Sequence, residues 1–165
     1  MKALGLADSE IEVINEAGIH AYPREACGLI AGIKSHGSWH AKKIYPLINK
    51  CDEYTFDRFV FDAEERLETE KKIAGRNLQL IGFFHSHPDQ DAYFSHTDLI
   101  NTEEYQFGEP WLPPSYVYLV LSVKQGKPTD MAAFKILEGQ SVRIQINHES
   151  LNPNYDKESS YGYSI

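Results

Sequence analysis

The sequence predicts an α/β fold, a mixed central β-sheet flanked by helices, in a single domain. Three observations predict it. Apolar runs of strand length, with SYVYLVLSV (115–123) the most strand-like, recur along the chain. Two stretches between them, 9–20 and 63–75, carry helical spacing or helix-forming composition. The order is helix, strands, helix, strand, helix, strands, which suggests an α/β sandwich around a central mixed sheet. A chain of 165 residues is one domain of ordinary size and is long enough to bury a core.

The elements follow in order. Asp8 and Ser9 are good N-cap residues, and Ile11, Ile14 and Ala17 then recur on one helical face until Pro23 stops the helix. CGLIAGIK (27–34) reads as a buried strand, and HAKKIYPLIN (40–49) as its partner, with Gly37 at the turn between them. Phe59 to Phe61 reads as a short strand. Asp62 then caps a helix, AEERLETEKKIAG (63–75), that ends at Gly75. LQLIGFFHSH (78–87) is a strand that runs into two histidines, and Ser95 or Thr97 begins a further helix through 98–105. Lys124 to Asp130 reads as a turn region. MAAFKIL and VRIQINH (131–137, 142–148) form a closing hairpin that turns at Glu138–Gln140. The polar tail after 148, poor in aliphatics, reads as loosely ordered or docked as an extended segment.

Composition excludes several classes. The content, 42% hydrophobic and 24% charged, is that of a globular chain. A formal net charge of -8 argues against a nucleic-acid backbone as partner, since phosphate binding needs a basic patch. Cys27 and Cys51 form no CxxC pair and no disulfide framework, and a cytoplasmic location is expected. Acidic residues early in the N-terminus speak against a signal peptide, and no stretch reaches the roughly 20 apolar residues of a membrane helix.

The chemistry is concentrated in GFFHSHPDQDAYFSHTD (82–98). Side chains alternate across a strand, so His85 and His87 share a face. Two adjacent imidazoles repel when protonated and fit better as neutral ligands of one cation. Zinc suits imidazole with carboxylate, and Asp98, at the start of the following helix, would be the third ligand, leaving one position open for water. Each residue alone has a plainer reading. Asp98 would be a helix N-terminal carboxylate, Ser95 an N-cap, His96 a solvated side chain, and Glu25 an exposed glutamate. Cys27, two residues after Glu25, is favoured as a buried structural cysteine over a thiolate near the metal. Ser86 faces away from its histidine neighbours, and Pro88 ends the strand. Tyr93 and Phe94 either anchor the loop or touch substrate.

The joint pattern resembles the signature of the JAMM (MPN-plus) metalloproteases: His85-Ser86-His87-Pro88, then Ser95, then Asp98, with Glu25 upstream in E-x-C-G-L-I. The resemblance covers roughly 10–137 and is closest to small bacterial and archaeal members that process ubiquitin-like sulfur-carrier proteins. It implies a fold like that of cytidine deaminases and a JAMM/MPN domain over 1–148, followed by a polar tail over 149–165. It implies zinc held by His85, His87 and Asp98, with a bound water. Glu25 would be the general base, and Ser95 would donate to the oxyanion. The implied reaction is hydrolysis of an amide bond after the C-terminal Gly-Gly of a ubiquitin-like or sulfur-carrier protein, whose tail could add as a strand to a sheet edge. The alternatives are a non-catalytic MPN scaffold, which usually lacks the ligands, and a RadC-like DNA-repair-associated protein. A zinc nucleoside deaminase would need H-x-E and P-C-x-x-C, and neither occurs. Trp111 and Leu112 either form a contact surface or cover the core.

Overall fold

The structure is a computed structural model that describes residues 2–51, 59–99 and 116–150. In chain order the elements are β1 (Ala3–Leu6), α1 (Asp8–Ala21), β2 (Cys27–Ser35), β3 (Ser38–Leu47), α2 (Ala63–Gly75), β4 (Gln79–Pro88), β5 (Val117–Lys124), β6 (Lys127–Leu137) and β7 (Gln140–His148). The sheet is mixed, as the sequence predicts, but it is not an open layer between helices. It closes into a barrel-like ring in the order β1-β3-β2-β4-β5-β6-β7. The closing element is β1, which pairs parallel with β3 at one edge and with β7 at the other. ALGL is too short to carry a periodicity, so the sequence reading starts at the helix after it.

Closure removes most of the free edge that an added strand would need. The exception is on β3. Its pairing with β1 covers only Trp39 and His40, so Ala41 to Leu47 have no second strand beside them among the described residues.

α1 begins one residue earlier than Asp8 and Ser9 as caps would require. Ala7 is the N-cap and offers no side-chain bond, while the Ser9 hydroxyl donates to the Glu10 carboxylate at 3.0 Å. Asp8 and Glu10 in the first turn and His20 in the last still complement the helix dipole. Gly18 lets the helix lie tightly on β5, since a Cβ there would meet the Leu121 side chain at 2.5 Å. In α2 the Asp62 carboxylate accepts from the Glu64 amide, as predicted. Phe59–Phe61 is no strand: the described pairing is a single bridge from Phe61 to Asn49. Residues 124–130 are less of a turn than Gly126 and Pro128 suggest. The turn is confined to Gln125 and Gly126, both at positive φ, and Pro128 pairs with Val123 beside a register shift, a place where a missing N–H is tolerated.

The core lies on both faces of the sheet. Leu4, Leu6, Trp39, Phe84, Leu119 and Leu121 pack with Ile14 of α1 on one face. Phe83, Tyr118, Val120 and Phe134 pack with Ile73 of α2 on the other, and Phe94 joins them. β5 feeds both clusters alternately, which explains its continuous apolar run. Where the sequence reads the tail as starting, Glu149 still engages the barrel: its N–H donates to Leu6 O at 2.9 Å, and its carboxylate pairs with His40. Trp111 and Leu112, the helix beyond Leu99, and the tail from residue 151 lie outside the described residues.

Candidate metal centre

The site forms where the start of β2 meets the end of β4. Cys27 pairs with His85 across the two strands. Just before that pair, the Ala26 N–H donates to Ser86 Oγ at 2.7 Å, and the Ser86 N–H donates to Ala26 O at 3.0 Å. Ser86 therefore points away from the histidines and ties the Glu25 segment to them. Asn49 holds the same segment from the other side. Its side-chain amide donates to Glu25 O at 3.0 Å, while its Oδ1 accepts the Cys51 and Val60 amides, each at 3.0 Å. The sequence reading passed over Asn49, because nothing local marks it.

Beyond Pro88 the chain turns at Asp89, a non-glycine residue at φ 59, a conformation asparagine and aspartate tolerate best. Its N–H donates to Val123 O, and its carboxylate accepts the Gln125 amide at 2.8 Å and the Tyr22 hydroxyl at 2.7 Å. These bonds hold the Asp89 carboxyl below the usual range. Ser122 fastens the next residue through Gln90 O. Phe94 anchors the loop in the core, whereas Tyr93 is exposed and sets its ring edge-on to His87 at 5.0 Å.

At the loop's end, residues 96–99 are helical and Ser95 caps them. The capping is reciprocal. The Asp98 N–H donates to Ser95 Oγ at 3.0 Å, and the Ser95 N–H donates to Asp98 Oδ2 at 2.8 Å. This box delivers the Asp98 carboxylate to the histidines. His85 Nε2 is 3.2 Å from His87 Nε2, and Asp98 Oδ2 lies 3.2 Å and 3.0 Å from the two nitrogens. Glu25 completes the group, whose four donor atoms all lie within 4.8 Å of one another. The four side chains are at most 4% exposed. The sequence-derived residues thus converge, while His96 is exposed and apart.

The hydrogen-bond pattern fixes the chemistry of His87. Its Nδ1 is 3.0 Å from the Asp91 carbonyl, which can only accept, so Nδ1 carries the proton. In the neutral ring, Nε2 then turns a lone pair toward His85 and Asp98. Phe59 stacks on His85 at 5.0 Å and holds that ring's plane. Burial pushes the Asp98 carboxyl up, but His85 and His87 outweigh it and hold the group well below the usual carboxylate range. Its other oxygen, Oδ1, is buried without a hydrogen-bond partner among the described residues. Two imidazole nitrogens and a carboxylate oxygen 3.0–3.2 Å apart, with an orphan oxygen beside them, fit a divalent metal ion. Donors bonded at about 2.0–2.1 Å in a tetrahedron would sit about 3.3 Å apart. Cys27 stands outside the group. Burial first, then the charges of Glu25 and Glu65, push its thiol far up, and its S–H donates toward Leu47 O at 3.7 Å.

A closed mixed sheet with helices packed on it and a buried Glu-His-His-Asp group defines a JAB-type α/β domain of the JAMM class. The chain belongs to the family described as prokaryotic homologs of the JAB domain, which it matches over residues 9–137. It is 25% identical over 139 residues to the CysO-cysteine peptidase of Mycobacterium tuberculosis, covering 82% of this chain and 86% of that one. It is 30% identical over 115 residues to a desampylase of Haloferax volcanii, covering 70% and 74%. Among solved structures, a protein of Desulfitobacterium hafniense superposes with a TM-score of 0.74 at 26% identity, covering 92% of this chain and 96% of that one. No helix among the described residues is long and apolar enough to cross a membrane.

Proposed function

We propose that this protein is a zinc-dependent peptidase that hydrolyses the amide bond following the C-terminal Gly-Gly of a ubiquitin-like or sulfur-carrier protein. The observation that carries the reading is the convergence of Glu25, His85, His87 and Asp98 at one buried point. The relatives named a CysO-cysteine peptidase and a desampylase support the class of substrate. A non-catalytic scaffold would have no use for four polar side chains gathered there.

His85, His87 and Asp98 would hold the metal, with the His87 tautomer already set by the Asp91 carbonyl. Bound zinc supplies Lewis acidity, lowering the pKa of a coordinated water to about 7. Glu25 is the proton carrier: its carboxylate takes a proton from the attacking water and delivers it to the leaving amine. Its distance from the other donors, within 4.8 Å, leaves space for one bridging water. Ser95 Oγ accepts the Asp98 amide, so its own proton remains to donate to the developing oxyanion. The β3 edge from Ala41 to Leu47 ends opposite Cys27, beside the site, and offers backbone groups to an extended Gly-Gly tail.

The test is intact-mass analysis of zinc-loaded protein incubated with small ubiquitin-like carriers that end in Gly-Gly plus one further residue. The expected result is loss of that residue with wild type and none with Glu25→Gln, which keeps the zinc. An active Glu25→Gln variant would remove Glu25 from the reaction. Absence of stoichiometric zinc in the wild type would return the chain to the scaffold reading.

A further inference from the structure

At the end of the barrel remote from the metal centre, a cavity of about 440 Å³ is lined by Lys2, Lys34, Ser35, His36, Trp39 and Lys135. β2 measures the separation: it runs from Cys27, paired with His85, to Lys34 at the cavity, about 23 Å at 3.3 Å per residue. Lys135 is the unusual member. It follows the core residue Ala133 by two positions on β6, so it occupies an inward-facing place where the sheet pattern calls for an apolar side chain. It is only 6% exposed. Its ammonium lies 5.3 Å from the Trp39 ring centre, and that of Lys34 lies 5.6 Å from the same ring. The indole thus holds two cations at the cavity wall.

These cations face each other without an anion. Among the described residues no carboxylate pairs with Lys2, Lys34 or Lys135, although the chain as a whole carries a net charge of -8. The Lys2 ammonium against it, then burial, then Lys34, bring the Lys135 ammonium down to about 8. Lys2 and Lys34 are exposed while Lys135 is buried, and holding a buried cation against two others is unfavourable unless something of opposite charge enters. Lysines arriving from separate parts of the chain act as point charges, which suits a multiply charged phosphate better than the flat fork a carboxylate prefers. The cavity exceeds the size of a phosphate ion and falls in the range of small-molecule sites.

We propose that this mouth of the barrel binds a phosphate-bearing small molecule, with Lys2, Lys34 and Lys135 on its phosphate oxygens. The site is separate from the metal centre and its existence does not depend on the proposed peptidase activity. The test is calorimetric titration of the zinc-loaded protein with inorganic phosphate and with pyrophosphate, at constant ionic strength set by chloride. Lys135→Met and Lys34→Ala are run beside the wild type. The expected result is saturable one-to-one binding, tighter for pyrophosphate and weakened at least tenfold in both variants. Sedimentation with vesicles of phosphatidylcholine containing one-fifth phosphatidic acid separates a lipid headgroup from a free ligand, since only the first would carry the protein down in a Lys34-dependent way. Equal binding by wild type and both variants would place the anion at the zinc and overturn the proposal. So would the absence of saturable binding to either phosphate probe and to the vesicles.

Discussion

Asn49 is the residue on which the placement of Glu25 turns. Among the described residues, Asn49→Ala removes at least three hydrogen bonds at once: the donation to Glu25 O and the two acceptances from the Cys51 and Val60 amides. Each bond is worth about 0.5–1.5 kcal/mol net, so the loss should be about 2–4 kcal/mol. For a domain of this size that lowers the melting temperature by about 4–16 °C. Asn49→Asp divides the effect. It keeps an oxygen for the two amides and loses only the donor to Glu25 O, while placing a negative charge beside a carbonyl. Its melting temperature should fall less than that of the alanine variant, yet its kcat should fall with it, because the carboxylate of Glu25 rides on the strand end that the bond holds. The assay pairs thermal unfolding with turnover on a Gly-Gly carrier at saturating zinc. An alanine variant within about 0.5 kcal/mol of wild type in urea unfolding would refute the reasoning, since an exposed and unbonded side chain behaves that way.

Four further outcomes follow from particular contacts. His87→Ala removes the ring whose Nε2 faces both His85 and Asp98, and should abolish stoichiometric zinc in metal analysis of the dialysed protein. Gly28→Ala should cost about 1–3 kcal/mol or more in urea unfolding, because its Cβ would lie 2.2 Å from a Phe84 ring carbon and 2.4 Å from Tyr45 O. Gly75→Ala, whose Cβ meets nothing, should be neutral or stabilising in the same experiment. Asp62 is held below its usual range by Lys50 and the Glu64 amide. A depressed carboxylate contributes stability above its unfolded pKa and loses it as pH falls through the folded one. Asp62→Ala should therefore melt lower than wild type at pH 7, and the gap should close as the pH drops below about 4.

The sequence made the metal group legible because most of it is local. His85 and His87 share a strand face, and Ser95 and Asp98 share one helical turn, so short-range geometry decides three of the four donors. Glu25 is different: it reaches the group through the Ala26–Ser86 exchange and the Asn49 bond, which no spacing reveals. Asn49 was illegible for the same reason, since its partners lie 24, 2 and 11 positions away. Ring closure was hidden because β1 is four residues long and finds β7 at the far end of the chain. Pro128 and Gly126 signalled a turn correctly but overstated its length, since the ladder resumes at Lys127 around a register shift.

The metal-binding reading also explains an energetic conflict within the fold. Three members of the group are held from behind: His87 by the Asp91 carbonyl, Asp98 by the Ser95 box, and the Glu25 backbone by Ser86 and Asn49. With Nδ1 of His87 protonated, its Nε2 lone pair faces a second imidazole nitrogen at 3.2 Å in a buried place. A single N–H on His85 Nε2 would serve one acceptor well, either His87 Nε2 or Asp98 Oδ2, whereas a cation shared by all three donors would serve each. A shared proton would bridge one pair and leave Asp98 Oδ1 without a partner, as it now stands. A divalent cation would take both nitrogens and the carboxylate together, so the fold is already shaped for the ion and little reorganisation opposes its entry. Donors already gathered at one buried point are then the reason binding should be tight.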